Sequence, residues 1–251
     1  MISSPSSSDT HQPSWRSVPS QLISQQDSPV LMQLDRVSRV FGRGDIKVHA
    51  LRKASLQVRN GEYVSVVGPS GSGKSTLLNV LALLDRHTSG TYHFAGADVE
   101  QLSEKQRTGL RAHRIGFVFQ AFHLLAHRNV TENVIMSMLY TNTPRSQRGI
   151  QAAAALERVG LDHRAYFLPT RLSGGECQRV AIARAIAPKP DVLLCDEPTG
   201  NLDTTTTGSI LDLFEELCAD GLTLVVVTHD SHVSARADRV VNVRDGQVWH
   251  A

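Results

Sequence analysis

"EYVSVVGPSGSGKS", residues 62–75, decides the fold. Its first part is a short, β-branched apolar run with the character of a buried strand. From Gly68 to Ser75 it fits G-x-x-x-x-G-K-[ST], the phosphate-binding P-loop pattern. "TLLNVLALL", 76–84, reads as the helix that follows. Strand, glycine-rich loop and helix in that order are the context that gives the pattern its meaning. A mere glycine turn would leave a lysine and a serine at these offsets without a packing role. Gly68, Pro69, Ser70, Gly71, Ser72 and Gly73 would place backbone N–H groups around phosphate oxygens. Lys74 would reach the β- and γ-phosphates, Ser75 would bind Mg²⁺, and Thr76 would complete the set that binds the nucleotide.

Working outward, strands alternate with helices. "LMQLDRVSRVF" (31–41) and "ASLQVRN" (54–60) read as antiparallel strands, and "GTYHFAG" (90–96) as another. "IGFVFQ" (115–120), "DVLLCDE" (191–197) and "TLVVVTHD" (223–230) are apolar runs that end in polar groups. Residues 121–170 read as mainly helical, and "RVVNVRDGQVW" (239–249) as a hairpin turning at Asp245-Gly246. The alternation predicts an α/β domain with a mostly parallel sheet and an antiparallel β portion. In such sheets ligands bind beyond the carboxyl ends of the strands. The P-loop, Gln120, Asp196-Glu197 and His229 all follow such strands, so a parallel sheet brings them to one edge.

Asp196, after four apolar residues, suits a metal held through water, the Walker B arrangement. Glu197 is its neighbour, and adjacent strand residues point to opposite sides, so the two acids should divide the work. Glu197 then suits a general base acting on a water in line with the γ-phosphate. Gln120 suits the metal and that water; His229 suits the γ-phosphate. "LSGGECQRV", 172–180, has Ser173 and Glu176 at capping-box spacing before a helix. The cap does not explain Gly174 and Gly175. A glycine pair at a helix start lets an anion approach bare N–H groups.

The bulk composition is that of a globular domain: 251 residues, 41% hydrophobic, 20% charged, net charge +2. That charge is too small to argue for nucleic acid. No apolar run approaches the length of a membrane span. Three scattered cysteines, Cys177, Cys195 and Cys218, disfavour a disulfide framework or zinc site and suggest a reducing, intracellular setting. Residues 1–29, rich in Ser, Pro and Gln, are expected to be a disordered polar tail. The remainder, 30–251, is expected to form one domain with a helical subdomain over about 121–187.

The ordered set "GPSGSGKST", "FVFQ", "LSGGE", "LLCDEPTGNLD" and "VVVTHD" resembles the ATP-binding subunits of ABC transporters over about residues 31–250. The resemblance implies a P-loop NTPase core, an antiparallel β subdomain and an α-helical subdomain carrying "LSGGE". It implies ATP and Mg²⁺ as cofactors, and Phe41 as an aromatic stacked on adenine, against the alternative that Phe41 only packs the first hairpin. It implies two copies, head to tail, in which Ser173, Gly174, Gly175 and Glu176 of one meet the γ-phosphate bound to the other. Asn201, Leu202 and Asp203 look like the loop crossing that interface. "TGNLD" and "QAFHLLAHRNVTENV" are similar to ATPases of macrolide exporters, lipoprotein-release complexes and a cell-division complex. The expected partners are a transmembrane permease, docked on 121–170, and a second ATP-binding subunit. The expected location is the cytoplasmic face of the cell membrane, with contact only through the permease. Two other classes compete: an ABC ATPase acting on DNA or ribosomes, and a nucleotide-gated module that no longer hydrolyses. A coiled-coil insertion or second nucleotide domain would favour the former, and neither is visible. Lys74, Asp196, Glu197 and His229 count against the latter.

Cys177 replaces the glutamine usual in that family and sits in the first turn of the expected helix, which leaves two readings: a redox-sensitive thiol of lowered pKa, or a small buried thiol. His123 and His127, four apart, would share a helix face and a metal, though no third ligand is in view. Arg107, Arg111 and Arg114 read as a solvated helix face, or as one that meets lipid or permease acids.

Overall fold

The computed structural model describes residues 29–42 and 47–250. The expected tail, apart from Pro29, lies outside the described residues. A four-stranded antiparallel sheet, in the order β2-β1-β4-β5, is built from β1 (Val30–Phe41), β2 (Val48–Arg59), β4 (Ser89–Phe94) and β5 (Ala97–Asp98). The β1–β2 pairing runs from Val30 opposite Arg59 to Phe41 opposite Val48, with bulges along it. β2 thus starts well before residue 54, because β1 continues to pair with it.

The second sheet has six strands in the order β10-β9-β3-β8-β7-β6. They are β3 (Tyr63–Val67), β6 (Ile115–Val118), β7 (Val192–Asp196), β8 (Thr223–Val227), β9 (Arg239–Arg244) and β10 (Gln247–His250). All neighbours are parallel except β10 against β9. The apolar runs are buried on both faces, as parallel strands require. Val192 and Leu194 face the core shared with α1 (Lys74–Leu81) and the antiparallel sheet. Leu193 and Cys195 face the other core, with α3 (Val130–Ile135), α4 (Arg145–Arg158), α5 (Gly174–Ile186) and α6 (Thr204–Ala219).

α2 (Glu104–Arg114) corrects the expected solvated arginine face. Arg107 is 3% exposed and donates to the Val99 carbonyl at 3.4 Å. Arg111 donates to the Leu83 carbonyl at 2.8 Å, and Arg114 pairs with Asp191 while lying over the Phe94 ring. α2 is wedged beside β6, so its arginines lay their stems along apolar neighbours and their heads reach backbone or carboxylate. The segment from Phe119 to Arg128 contains no helix, so His123 and His127 share no helix face. His123 instead packs edge-on against Phe119 at 5.2 Å.

Candidate functional site

The carboxyl ends of β3, β6, β7 and β8 lie along one edge of the parallel sheet. Beyond β3 the chain enters the P-loop, whose rim at Pro69, Ser70 and Gly71 is exposed. Lys74 is buried, and its ammonium donates to the carbonyls of Gly68 at 2.8 Å and Pro69 at 3.0 Å. A buried cation held only by neutral carbonyls is suited to exchanging them for an anion. The Ser72 hydroxyl, also in the cradle, is buried with no protein partner.

The two acids after β7 separate. Asp196 receives a hydrogen bond from the Ser75 hydroxyl at 3.4 Å. Burial pushes its carboxyl above the usual range and Glu197 adds to this, while Ser75 and Lys74 oppose it. A half-buried carboxylate and a hydroxyl are oxygen donors of the kind that would hold a hard divalent cation. Among the described residues, no group of three or more His, Cys, Asp or Glu converges on a metal-sized space.

Glu197 has φ of 47°, a left-handed conformation that costs a non-glycine residue about 1–3 kcal/mol. Its N–H still donates to the Val227 carbonyl at 2.9 Å, so the turn is pinned to β8. The side chain meets His229, with Oε1 2.8 Å from Nδ1. His229 is otherwise exposed, and its pKa is raised by the hydrogen bond to and charge of Glu197. Gln120 lies two residues beyond β6, against the turn that follows Glu197. There the Asn201 side chain donates to its carbonyl at 3.2 Å.

Phe41 ends β1 and is 40% exposed. The Arg39 guanidinium covers one ring face at 4.2 Å and is itself held by Asp85, with Nε to Oδ2 at 2.9 Å. Sequence reasoning missed Arg39. Its signal was present, since residues two apart on a strand share a face.

The Ser173–Glu176 capping box opens α5: the Ser173 N–H donates to Glu176 at 2.8 Å, and the Glu176 N–H to the Ser173 hydroxyl at 3.2 Å. The Ser173 hydroxyl keeps its own proton for another acceptor. Cys177 is half-buried, and burial together with the Glu176 charge pushes its thiol up. Both causes favour the reading of a small, partly buried thiol.

Gly175 has a packing role that the sequence did not disclose. A Cβ there would lie 2.3 Å from the Thr206 methyl. Thr206 cannot turn away freely, because its hydroxyl donates to Asp203 at 2.6 Å and its N–H to the same carboxylate at 2.9 Å. Asp203 thereby caps α6, and Leu202 packs near Gly174. Gly175→Ala should destabilise the fold by about 1–3 kcal/mol, as overpacking does. Adding Thr206→Ser, which removes the methyl, should restore most of that loss. Denaturant unfolding of the single and double variants measures the coupling.

A groove of about 610 Å³ lies at the helical side, lined by Leu84, Phe119 and Tyr140 among apolar residues and by Arg111 and Arg184. Arg184 donates to the carbonyls of Phe122 and His123, at 2.8 and 2.7 Å.

Comparison with known proteins agrees with this arrangement. The sequence model of the family described as ABC transporter matches residues 51–200. The chain is 45% identical over 221 residues to a macrolide export ATP-binding/permease protein of Hyphomonas neptunium, covering 88% of this chain and 34% of that protein. It thus spans about a third of that relative's length. It is 45% identical over 218 residues to an uncharacterized ABC transporter ATP-binding protein of Bacillus subtilis, covering 87% of this chain and 95% of that one. A dimeric structure of an ATP-binding cassette, in a post-hydrolysis state bound to ADP and Pi, superposes with a TM-score of 0.79 at 37% identity. That match covers 87% of this chain and 96% of the other.

Proposed function

The chain belongs to the family of ABC transporter ATP-binding domains, and we propose that it binds and hydrolyses ATP between two head-to-tail copies to drive a separate export permease. The observation that carries this reading is the division of the two acids at the sheet edge, Asp196 to Ser75 and Glu197 to His229.

In this reading Lys74 gives up the carbonyls of Gly68 and Pro69 to bind the β- and γ-phosphates. Ser75 and Asp196 would hold Mg²⁺, with Gln120 from the neighbouring turn. The ion, when bound, neutralises charge between phosphate oxygens. Glu197 accepts the proton of the attacking water, and His229 orients that carboxylate and reaches the γ-phosphate. Phe41 stacks on the base with the face that Arg39 leaves open. Ser173, Gly174 and Gly175 of the second copy supply a hydroxyl and N–H groups to the γ-phosphate, with Glu176 holding their turn in shape. Asn201, Leu202 and Asp203 lie along the contact between copies. The dimeric state of the solved relative supports the pairing.

The relative from Hyphomonas neptunium is named as an ATP-binding/permease protein, which supports a membrane permease as this chain's partner. Among the described residues no helix is long and apolar enough to cross a membrane. In this reading the chain works at the cytoplasmic face of the membrane by docking on the permease. On the same reading the permease docks on the helical side, where the apolar groove with Leu84, Phe119 and Tyr140 borders the segment 121–170. Export, lipoprotein release and force transmission across the membrane are the outputs that suit such a pair.

The test is ATP turnover by the purified chain with Mg²⁺ over a wide range of protein concentration. Two half-sites per reaction predict that turnover per molecule rises with concentration before it levels off. A turnover per molecule independent of concentration, in a chain that sediments as a monomer with ATP, would overturn the shared site.

A further inference from the structure

We infer that Gly246, in the C-terminal hairpin, is a positioning residue for the phosphate cradle; the inference rests on the P-loop reading above. β9 and β10 are joined through Asp245 and Gly246, with φ of 51° and 77°. Two positive φ values are those of a type I′ turn, for which Asp-Gly is a favoured pair. A tight hairpin would account for the dipeptide alone. The contacts of this hairpin go further.

β9 lies beside β3, in parallel, with Val67 opposite Asn242. β3 leads directly into the P-loop, so the residues after Asn242 run alongside the loop. The Gly246 N–H donates to the Ser72 carbonyl at 2.9 Å, and the Gly246 carbonyl accepts from the Arg52 N–H at 2.7 Å. One residue thus ties the cradle to β2. The fit leaves no room on either side. A Cβ on Gly246 would lie 2.9 Å from the Ala50 carbonyl oxygen. A Cβ on Gly73 would lie 2.4 Å from that oxygen, and one on Gly68 would lie 2.0 Å from the Val243 carbonyl oxygen. These opposing atoms are backbone and cannot rotate aside. The cradle is backed by the hairpin at Gly68 and Ser72 and by β2 at Gly73, and the hairpin fits between the cradle and β2 because position 246 has no side chain.

A side chain at 246 should push the hairpin off Ala50 and Leu51 of β2, and that shift should break the hydrogen bond to the Ser72 carbonyl and loosen the orientation of the N–H groups around the phosphates. Gly246→Ala should weaken ATP binding by about tenfold, as loss of one hydrogen bond and its alignment implies. The KM for ATP should rise while kcat changes little, since Glu197 and His229 are untouched. The strain control is Gly96→Ala. Gly96 has φ of +80°, and a Cβ there meets nothing within 4 Å. That variant should lose stability and keep the ATP affinity of the unaltered chain. Binding of a fluorescent ATP analogue, together with thermal melting, reads both.

Equal affinity in the folded Gly246→Ala variant and the unaltered chain would overturn the inference. Equal loss of affinity in both alanine variants would also overturn it, by assigning the effect to general destabilisation. Failure of the unaltered chain to bind ATP would instead overturn the P-loop reading. A second measurement needs no variant: hydrogen exchange at the Gly246 amide should slow when ATP binds, because coupling between two sites is reciprocal. Unchanged exchange at that amide in an ATP-saturated chain would count against the brace.

Discussion

Glu197→Gln should lower ATP turnover by about 10²–10⁴-fold, the range for loss of a general base, and leave nucleotide binding intact. The amide keeps the shape and one hydrogen-bond acceptor for His229 but cannot take the water's proton. Binding is preserved because Lys74, Ser75 and Asp196 are untouched and the left-handed turn at position 197 is a property of the backbone. Dimers with two trapped nucleotides should therefore accumulate, and sedimentation with ATP detects them alongside a phosphate-release assay. Turnover at the unaltered rate would remove the role of Glu197. The same variant has a pH signature. The carboxylate raises the His229 pKa, so the pair's contribution to stability is complete below the unfolded pKa and is lost as pH rises through the raised folded value. Removing the charge should bring the imidazole back toward about 6.5. An NMR titration of His229 in both proteins follows it directly.

Lys74→Ala should weaken ATP binding by about 10- to 100-fold, from the ~1.5–3 kcal/mol that a hydrogen bond to a charged group contributes. The ammonium is buried and bonded to the neutral carbonyls of Gly68 and Pro69. Phosphate would replace those contacts with shorter, charge-assisted ones. Alanine removes the second set and also leaves the Gly68 and Pro69 carbonyls without their donor. Equilibrium binding of a labelled ATP analogue gives the number, and an unchanged affinity would contradict the phosphate assignment.

Much of this architecture could be read before any coordinate. β3, β7 and β8 are short, mainly apolar runs, the composition that strands buried on both faces favour. The Ser173–Glu176 box is a local device, and its spacing suffices to read it. What stayed hidden depends on contacts distant in sequence. β2 begins at Val48 because β1 extends opposite it, not because "VHALRK" alternates. The arginines of α2 look solvated by type, yet Arg107 is buried because a neighbouring carbonyl takes its head. The glycines of "LSGGE" suggested an approaching anion, and nothing nearby in sequence pointed to the Thr206 methyl as a second reason for Gly175. The conformation of Glu197 was equally invisible, because a single positive φ leaves no mark on residue type.

That methyl has a bearing on how the protein can diverge. Positions 175 and 206 are not free to drift separately, since added bulk at one is tolerated only if the other gives ground. Bulk at 206 also reaches Asp203, whose carboxylate caps α6 through the same threonine. A descendant that altered the start of α5 would have to remodel the entrance to α6 in the same lineage, so the two helix starts should be inherited as one character.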